Sequence, residues 1–182
     1  MFGFNSRRLA LVLGVFLACL SIPALHAEEA MLPDFVRANL RLSLNQIGSG
    51  TYRKLGFSVY RASLWTANET WSPRKPYALR LQYTRSVSQE TLADTVVDDI
   101  RGQNVTDEET FKRWEKTLRD VLPAVEDGDV MVGVALPGKK SYLFFNGKEI
   151  ARIDDLALSQ AFFNIWLGDG ADPDLKRKLL GG

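Results

Sequence analysis

The sequence has one cysteine and one histidine among 182 residues, and both lie close to its start, at Cys19 and His26. The same stretch has the order of a secretory signal peptide: two adjacent arginines, an uninterrupted apolar run at residues 9–20, and small residues that end at Ala27. We therefore expect residues 1–27 to be cleaved and the remaining chain to be periplasmic or secreted.

Two other interpretations of this leader are an uncleaved membrane anchor and lipidation at Cys19. The apolar run is shorter than the roughly 20 residues of a spanning helix, and Pro23 follows it. The residues before Cys19 match a lipobox poorly, and the apolar run continues past the cysteine. The sequence therefore favours a cleaved leader, with no membrane span in the remaining chain.

The chain that remains after cleavage, residues 28–182, is of a size typical of a single domain. It has neither cysteine nor histidine, which excludes thiol nucleophiles, disulfides, Cys/His zinc sites and histidine bases. Its 21 basic and 22 acidic residues give a formal charge of −1, so it has too little positive charge for a nucleic-acid partner. We expect no cofactor and no metal, because Asp169, Asp172 and Asp174 lack the spacing of a calcium loop and suit helix capping instead.

Hydrophobic periodicity predicts strands in the first half of this domain, followed by two helices. Leucines alternate from Leu40 until the glycines at residues 48–50, which indicate a strand and a turn. Residues 57–66 and 77–83 have the β-branched, aromatic and alternating character of strands. Apolar residues then recur at helical spacing after Ser86 and again after Thr106, two predicted helix caps.

The second half repeats the order of strands followed by helices. Strands are predicted at residues 130–136, 142–145 and 149–153, with the last two joined by a hairpin at Asn146-Gly147. A helix capped by Asp154 or Asp155 runs to Gly168, and a short one follows Asp172-Pro173. Short hairpins require antiparallel neighbours, so we predict an α+β fold with a large antiparallel sheet and helices packed on one face.

Two groups of side chains are candidates for a binding site. An arginine beside phenols can hold a carboxylate or a phenolate, and Tyr52, Arg53 and Tyr60 form such a group. The alternative is a surface arginine with two packed tyrosines. Aromatic residues at helical spacing are either core or the walls of a ligand site. Small residues on the strands either bring a helix close or leave a cavity; they are Ala62, Gly133 and Ala135.

Five segments together resemble the bacterial chalcone isomerase-like proteins, in the order in which they occur. They are GSGTYRKLGFSVYRASLW, ALRLQYTRSVS, SYLFFNGKEI, AFFNIWLGD and DPDLKRKLL, within residues 35–181. The resemblance implies the chalcone isomerase fold, an antiparallel sheet with helices on one face and a cleft between them, in agreement with the periodicity.

The resemblance also allows the plant isomerase site to be compared residue by residue. The arginine of that site falls at Tyr52 or Arg53, and its threonine at Tyr60. The next helix lacks the tyrosine and asparagine, with Thr91 and Asp98 nearest, and a further polar position is Ile165. Most donors that would stabilise a developing enolate are therefore changed. Some members of the wider family bind fatty acids, which suits these residues better.

We therefore expect a periplasmic, non-catalytic protein that binds a fatty acid or similar amphiphile in an apolar cleft. Tyr52, Arg53 and Tyr60 are the candidates for the acidic head group, and Trp65, Phe162 and Trp166 for the walls. The alternatives are an intramolecular lyase or isomerase of the chalcone type and an envelope protein that binds other proteins.

Overall fold

The computed structural model describes residues 41–182, so the predicted leader, with Cys19 and His26, lies outside the described residues. All the elements described belong to one compact unit. The strands are β1 (Asn45–Lys54), β2 (Phe57–Thr66), β3 (Tyr77–Tyr83), β4 (Val130–Leu136), β5 (Lys140–Phe145) and β6 (Lys148–Ile153). The helices are α1 (Gln89–Arg101), α2 (Glu108–Val121), α3 (Leu156–Leu167) and α4 (Pro173–Leu179).

The six strands form one antiparallel sheet in which spatial order equals sequence order, β1 to β6. The larger core cluster joins one face of this sheet to residues of all four helices, such as Leu92, Phe111, Leu158 and Leu175. A smaller cluster on the opposite face contains strand residues and Leu44 and no helical residue. The predicted α+β class with helices on one face is therefore confirmed. None of these four helices is long and apolar enough to cross a membrane.

Gly48 and Gly50 lie inside β1, and the turn predicted at residues 48–50 is wrong. A Cβ atom on Gly48 would lie 2.2 Å from the carbonyl oxygen of Lys178, and one on Gly50 would lie 2.9 Å from Leu175 Cδ1. Glycine is needed because the backbone of α4 approaches β1 closely, and not because the chain turns. The turn comes at Leu55-Gly56, where both residues have positive φ.

Two of the predicted helix caps are displaced by one or two residues. Ser88 caps α1 in place of Ser86, because the backbone of Val87 pairs with Val125 and keeps that segment extended. Asp107 caps α2 in place of the neighbouring Thr106. Asp155, one of the two predicted candidates, caps α3, and Asp172 caps α4 as predicted.

The small residues of the strands bring α3 close to the sheet. A Cβ atom on Gly133 would lie 2.9 Å from Phe163 Cε1, so this ring occupies the space above the glycine. Ala62 and Ala135 are also buried in the larger cluster. The sheet and α3 therefore pack without a gap at Gly133, and the open space lies nearer to β1 and α1.

Candidate functional site

A cavity of about 1180 Å³ lies between the helical face of the sheet and helices α1 and α3. Its apolar lining comes from both layers: Tyr60, Leu81 and Met131 from the strands, Leu92 and Val96 from α1, and Phe162 and Trp166 from α3. Charged and hydroxyl side chains from β1, α1 and the segments after β3 and α3 also line it. The volume is at least that of ordinary small-molecule sites, about 300–1,000 Å³.

A phenol and an indole are bonded to each other in this lining. Trp166 Nε1 donates a hydrogen bond to the Tyr60 hydroxyl oxygen at 2.9 Å. The ring of Tyr52 stacks on that of Tyr60, with centroids 5.0 Å apart, and Tyr83 meets Tyr60 edge-on. The Tyr60 oxygen accepts from Trp166, and among residues 41–182 no acceptor takes its proton. That proton can therefore be donated to a ligand.

Both phenols stay neutral at ordinary pH. Burial raises the pKa of Tyr60, and the Trp166 bond offsets this only in part; Tyr52, Tyr83 and Asp99 raise it further. Burial, followed by the charges of Asp99 and Asp172, raises the pKa of Tyr52. These phenols are hydrogen-bond donors, suited to a carboxylate or carbonyl oxygen, and are poorly suited to act as bases.

The cavity rim carries two cations that the sequence reasoning missed, Lys54 and Arg85. Burial raises the pKa of Asp99, and the charge of Lys54 acts in the opposite direction. The Arg85 guanidinium lies 5.9 Å from the Phe57 ring centroid. Strand alternation could have indicated Lys54, which follows Tyr52 by two residues on β1. Arg85 lies beyond the end of β3, where alternation makes no prediction. Acidic side chains share this lining; they are Asp98, Asp99, Asp169 and Asp172.

Arg53 does not line this cavity, so its predicted place beside Tyr60 in the cleft is wrong. It is exposed and borders a separate, smaller depression of about 450 Å³, together with Arg61 and Lys178. Successive side chains of a strand point to opposite sides, and Tyr52 is the one that lines the large cavity. The residue that falls at the arginine position and lines the cavity is therefore a tyrosine.

The predicted place of Trp65, in a wall of the cleft, is also wrong. It packs in the smaller cluster on the other face of the sheet, and its Nε1 donates to Ser63 Oγ at 3.0 Å. The offset of five residues from Tyr60 is odd, so the two side chains face opposite sides of β2. The other two predicted walls, Phe162 and Trp166, do line the cavity.

The remaining positions suggested by the plant isomerase site all line the cavity. Thr91 and Asp98 reach it from α1, and Ile165 from α3. The site is therefore in the place that the resemblance implies, with its chemistry changed. No group of side chains within residues 41–182 has the composition of a metal site. Asp172 is used as a helix cap, and Asp169 lies 3.5 Å from the Lys176 ammonium.

Comparisons with known proteins agree with this architecture. The family model described as chalcone isomerase-like matches residues 26–181. No curated protein matches the sequence. The crystal structure of a fatty-acid binding protein from Arabidopsis thaliana is similar, with a TM-score of 0.58 and 12% sequence identity. The match covers 76% of this chain and 87% of that chain, and it shows a shared fold.

Proposed function

This chain belongs to the chalcone isomerase-like family, and we propose that it is an exported, non-catalytic protein that binds a fatty acid or a similar amphiphile. The observation that carries the proposal is the cavity itself, in which apolar side chains surround the Tyr60 hydroxyl, whose proton has no acceptor within residues 41–182. The similar structure of the Arabidopsis thaliana fatty-acid binding protein supports this choice of ligand.

The polarity of the lining indicates how such a ligand would lie. Leu81, Met131 and Phe162 offer an apolar surface for a hydrocarbon tail. Tyr52 and Tyr60 offer neutral donors for the head group, and Lys54 at the rim adds positive charge. A carboxylate bound near the stacked phenols would therefore accept hydrogen bonds, with the tail between the sheet and the helices.

The same geometry argues against an isomerase of the chalcone type. That chemistry needs donors arranged in advance around a developing enolate, with a base that takes a proton. The raised pKa values of Tyr52 and Tyr60 keep them protonated. On β1, the position that lines the cavity holds Tyr52 in place of the arginine.

The test combines identification of a natural ligand with a variant that blocks the cavity. The purified protein is extracted with organic solvent and examined by native mass spectrometry, and a fluorescent fatty-acid analogue is titrated into the delipidated protein. Thr95→Trp places a large ring at the cavity lining and should weaken binding of the analogue at least about tenfold.

Thr117→Trp is the matched control. Thr95 and Thr117 are both exposed helical threonines that donate to the carbonyl four residues earlier, but only Thr95 lines the cavity. The proposal is refuted if the purified protein repeatedly contains no lipid and does not bind the analogue. Equal affinity of the two variants for the analogue would also refute it. Loss of chalcone absorbance on mixing with the protein would favour the isomerase instead.

A further inference from the structure

The β1–β2 hairpin has an exposed leucine in a backbone conformation that disfavours it. Leu55 and Gly56 have φ values of 51° and 83°, and Leu55 is 91% exposed. The β5–β6 hairpin has nearly the same geometry, 47° and 83°, with Asn146-Gly147, the pair that this turn prefers. A leucine in the left-handed region is strained, and Leu55 recovers nothing by packing within residues 41–182.

The residues around this leucine are apolar and basic. Phe57 pairs with Lys54 across the end of the hairpin and is 67% exposed. Arg53 is exposed, and the Arg85 guanidinium lies beside the Phe57 ring. Asp99 interacts with Lys54, and Asp172 and Asp174 border the same depression as Arg53. We call residues 53–57 together with Arg85 the hairpin tip.

The hairpin tip also forms part of the cavity mouth. Residues 41–182 include five exposed large hydrophobic side chains, and three of them line the cavity: Leu55, Phe57 and Val105. Exposed apolar side chains are therefore concentrated where a ligand would enter. Singly scattered apolar residues need no explanation, but a group at one opening marks a contact surface.

We propose that the hairpin tip docks on an anionic lipid surface and brings the cavity mouth to the membrane. Leu55 and Phe57 enter the boundary between head groups and acyl chains, as the apolar residues of peripheral membrane proteins do. Arg53, Lys54 and Arg85 lie at the level of the phosphate groups, where each cation attracts anionic lipid. A protein partner would be expected to offer carboxylates to these cations and would place no requirement on lipid charge.

The role of the cavity mouth in this scheme rests on the proposed function, but docking is measured without any cavity ligand. The full chain is expressed, and the mass of the purified protein defines its N-terminus. Its sedimentation with vesicles of phosphatidylcholine alone is compared with that of vesicles in which half the lipid is phosphatidylglycerol. We expect binding to the anionic vesicles that falls as salt rises from about 0.1 M to about 0.5 M.

Leu55→Asn removes the leucine and introduces the residue that the turn prefers. We expect it to reduce vesicle affinity at least about tenfold, because the leucine side chain that would be buried in the lipid is lost. Thermal stability should be kept or raised. Arg53→Gln should reduce affinity for the anionic vesicles about fivefold. Leu156→Ser is the matched control, because Leu156 is 47% exposed at the start of α3, lines no cavity and should leave vesicle binding unchanged.

These measurements separate the two proposals. The docking proposal is overturned if the wild-type protein binds neither type of vesicle, or binds both equally at all salt concentrations. Capture of a protein through the hairpin tip would assign the surface to that partner instead. Equal loss in the Leu55→Asn and Leu156→Ser variants also overturns the docking proposal. Titration with the fluorescent fatty acid in the absence of vesicles tests the cavity separately, so either proposal can fail alone.

Discussion

Replacing Tyr60 by phenylalanine removes one oxygen that serves two purposes. That oxygen accepts the Trp166 Nε1 hydrogen bond, and Trp166 is 6% exposed, so its indole N–H would lose its acceptor in a buried place. A buried unsatisfied donor costs about 1–3 kcal/mol of folding stability. The lost hydroxyl would also have donated to the ligand head group, and a hydrogen bond to a charged group contributes about 1.5–3 kcal/mol. We therefore expect roughly 10- to 150-fold weaker fatty-acid binding.

Trp166→Phe separates these two effects. It removes the same hydrogen bond from the other side and keeps the Tyr60 hydroxyl, so stability should fall while ligand affinity falls much less than in Tyr60→Phe. Tyr142→Phe is the control, because Tyr142 lies on the opposite face of the sheet, stacked with Phe144. It should change neither quantity.

Urea unfolding and titration with the fluorescent fatty-acid analogue give the two free energies for each variant. Tyr60→Phe should lose more binding free energy than Trp166→Phe. If Tyr60→Phe binds the analogue as tightly as the wild type, the hydroxyl does not meet the head group. The assignment of Tyr60 is then refuted, whatever happens to stability.

Gly48, Asp155 and the buried tyrosines stabilise the fold around the site, and each gives a further prediction. Gly48→Ala should destabilise the fold by about 1–3 kcal/mol or more in urea unfolding, because its Cβ would overlap the Lys178 carbonyl and α4 would have to move. Asp155→Ala should cost about 2–4 kcal/mol, measured in the same way, since it removes the cap of α3 and the acceptor of the Trp114 indole N–H. In a tyrosinate absorbance titration, Tyr83 and the other buried tyrosines should ionise later in the folded protein. Burial raises their folded pKa above the unfolded value of about 10, so the stability they contribute is complete below pH 10 and is lost as pH rises further.

The architecture could be predicted from the sequence because its signals are local. The strand at residues 77–83, the Asn146-Gly147 turn and the Asp172 cap each depend on a few neighbouring residues, and the structure has all three. The glycines of β1 were misinterpreted because their cause is distant. Gly48 has no side chain because the backbone of Lys178 lies against it, and nothing within ten residues of Gly48 indicates this contact.

The site was predictable only in part, for a similar reason. Residue type identified Tyr60, Phe162 and Trp166, but the side of the strand decides whether a residue reaches the cavity. Arg53 and Trp65 have suitable chemistry but do not line the cavity: Arg53 borders the smaller depression, and Trp65 packs on the other face of the sheet. Strict application of the two-residue period from Tyr60 would have excluded Trp65. The choice between Tyr52 and Arg53 needed the position of the bulge in β1, which the sequence does not mark.

Because Tyr52 stands at the cavity where the plant isomerases have an arginine, this protein would recognise a ligand head group and a lipid surface through different interactions. The phenols of Tyr52 and Tyr60 are neutral, so their attraction for a head group is short-ranged and little affected by salt. The cations of the hairpin tip are exposed, so their attraction for a lipid surface is screened by salt. Raising the ionic strength should therefore release the protein from anionic vesicles at concentrations that leave a bound fatty acid in place. A cavity affinity that fell as steeply as vesicle binding would instead locate the head group at Lys54 and Arg85, on the rim, and not at the stacked phenols.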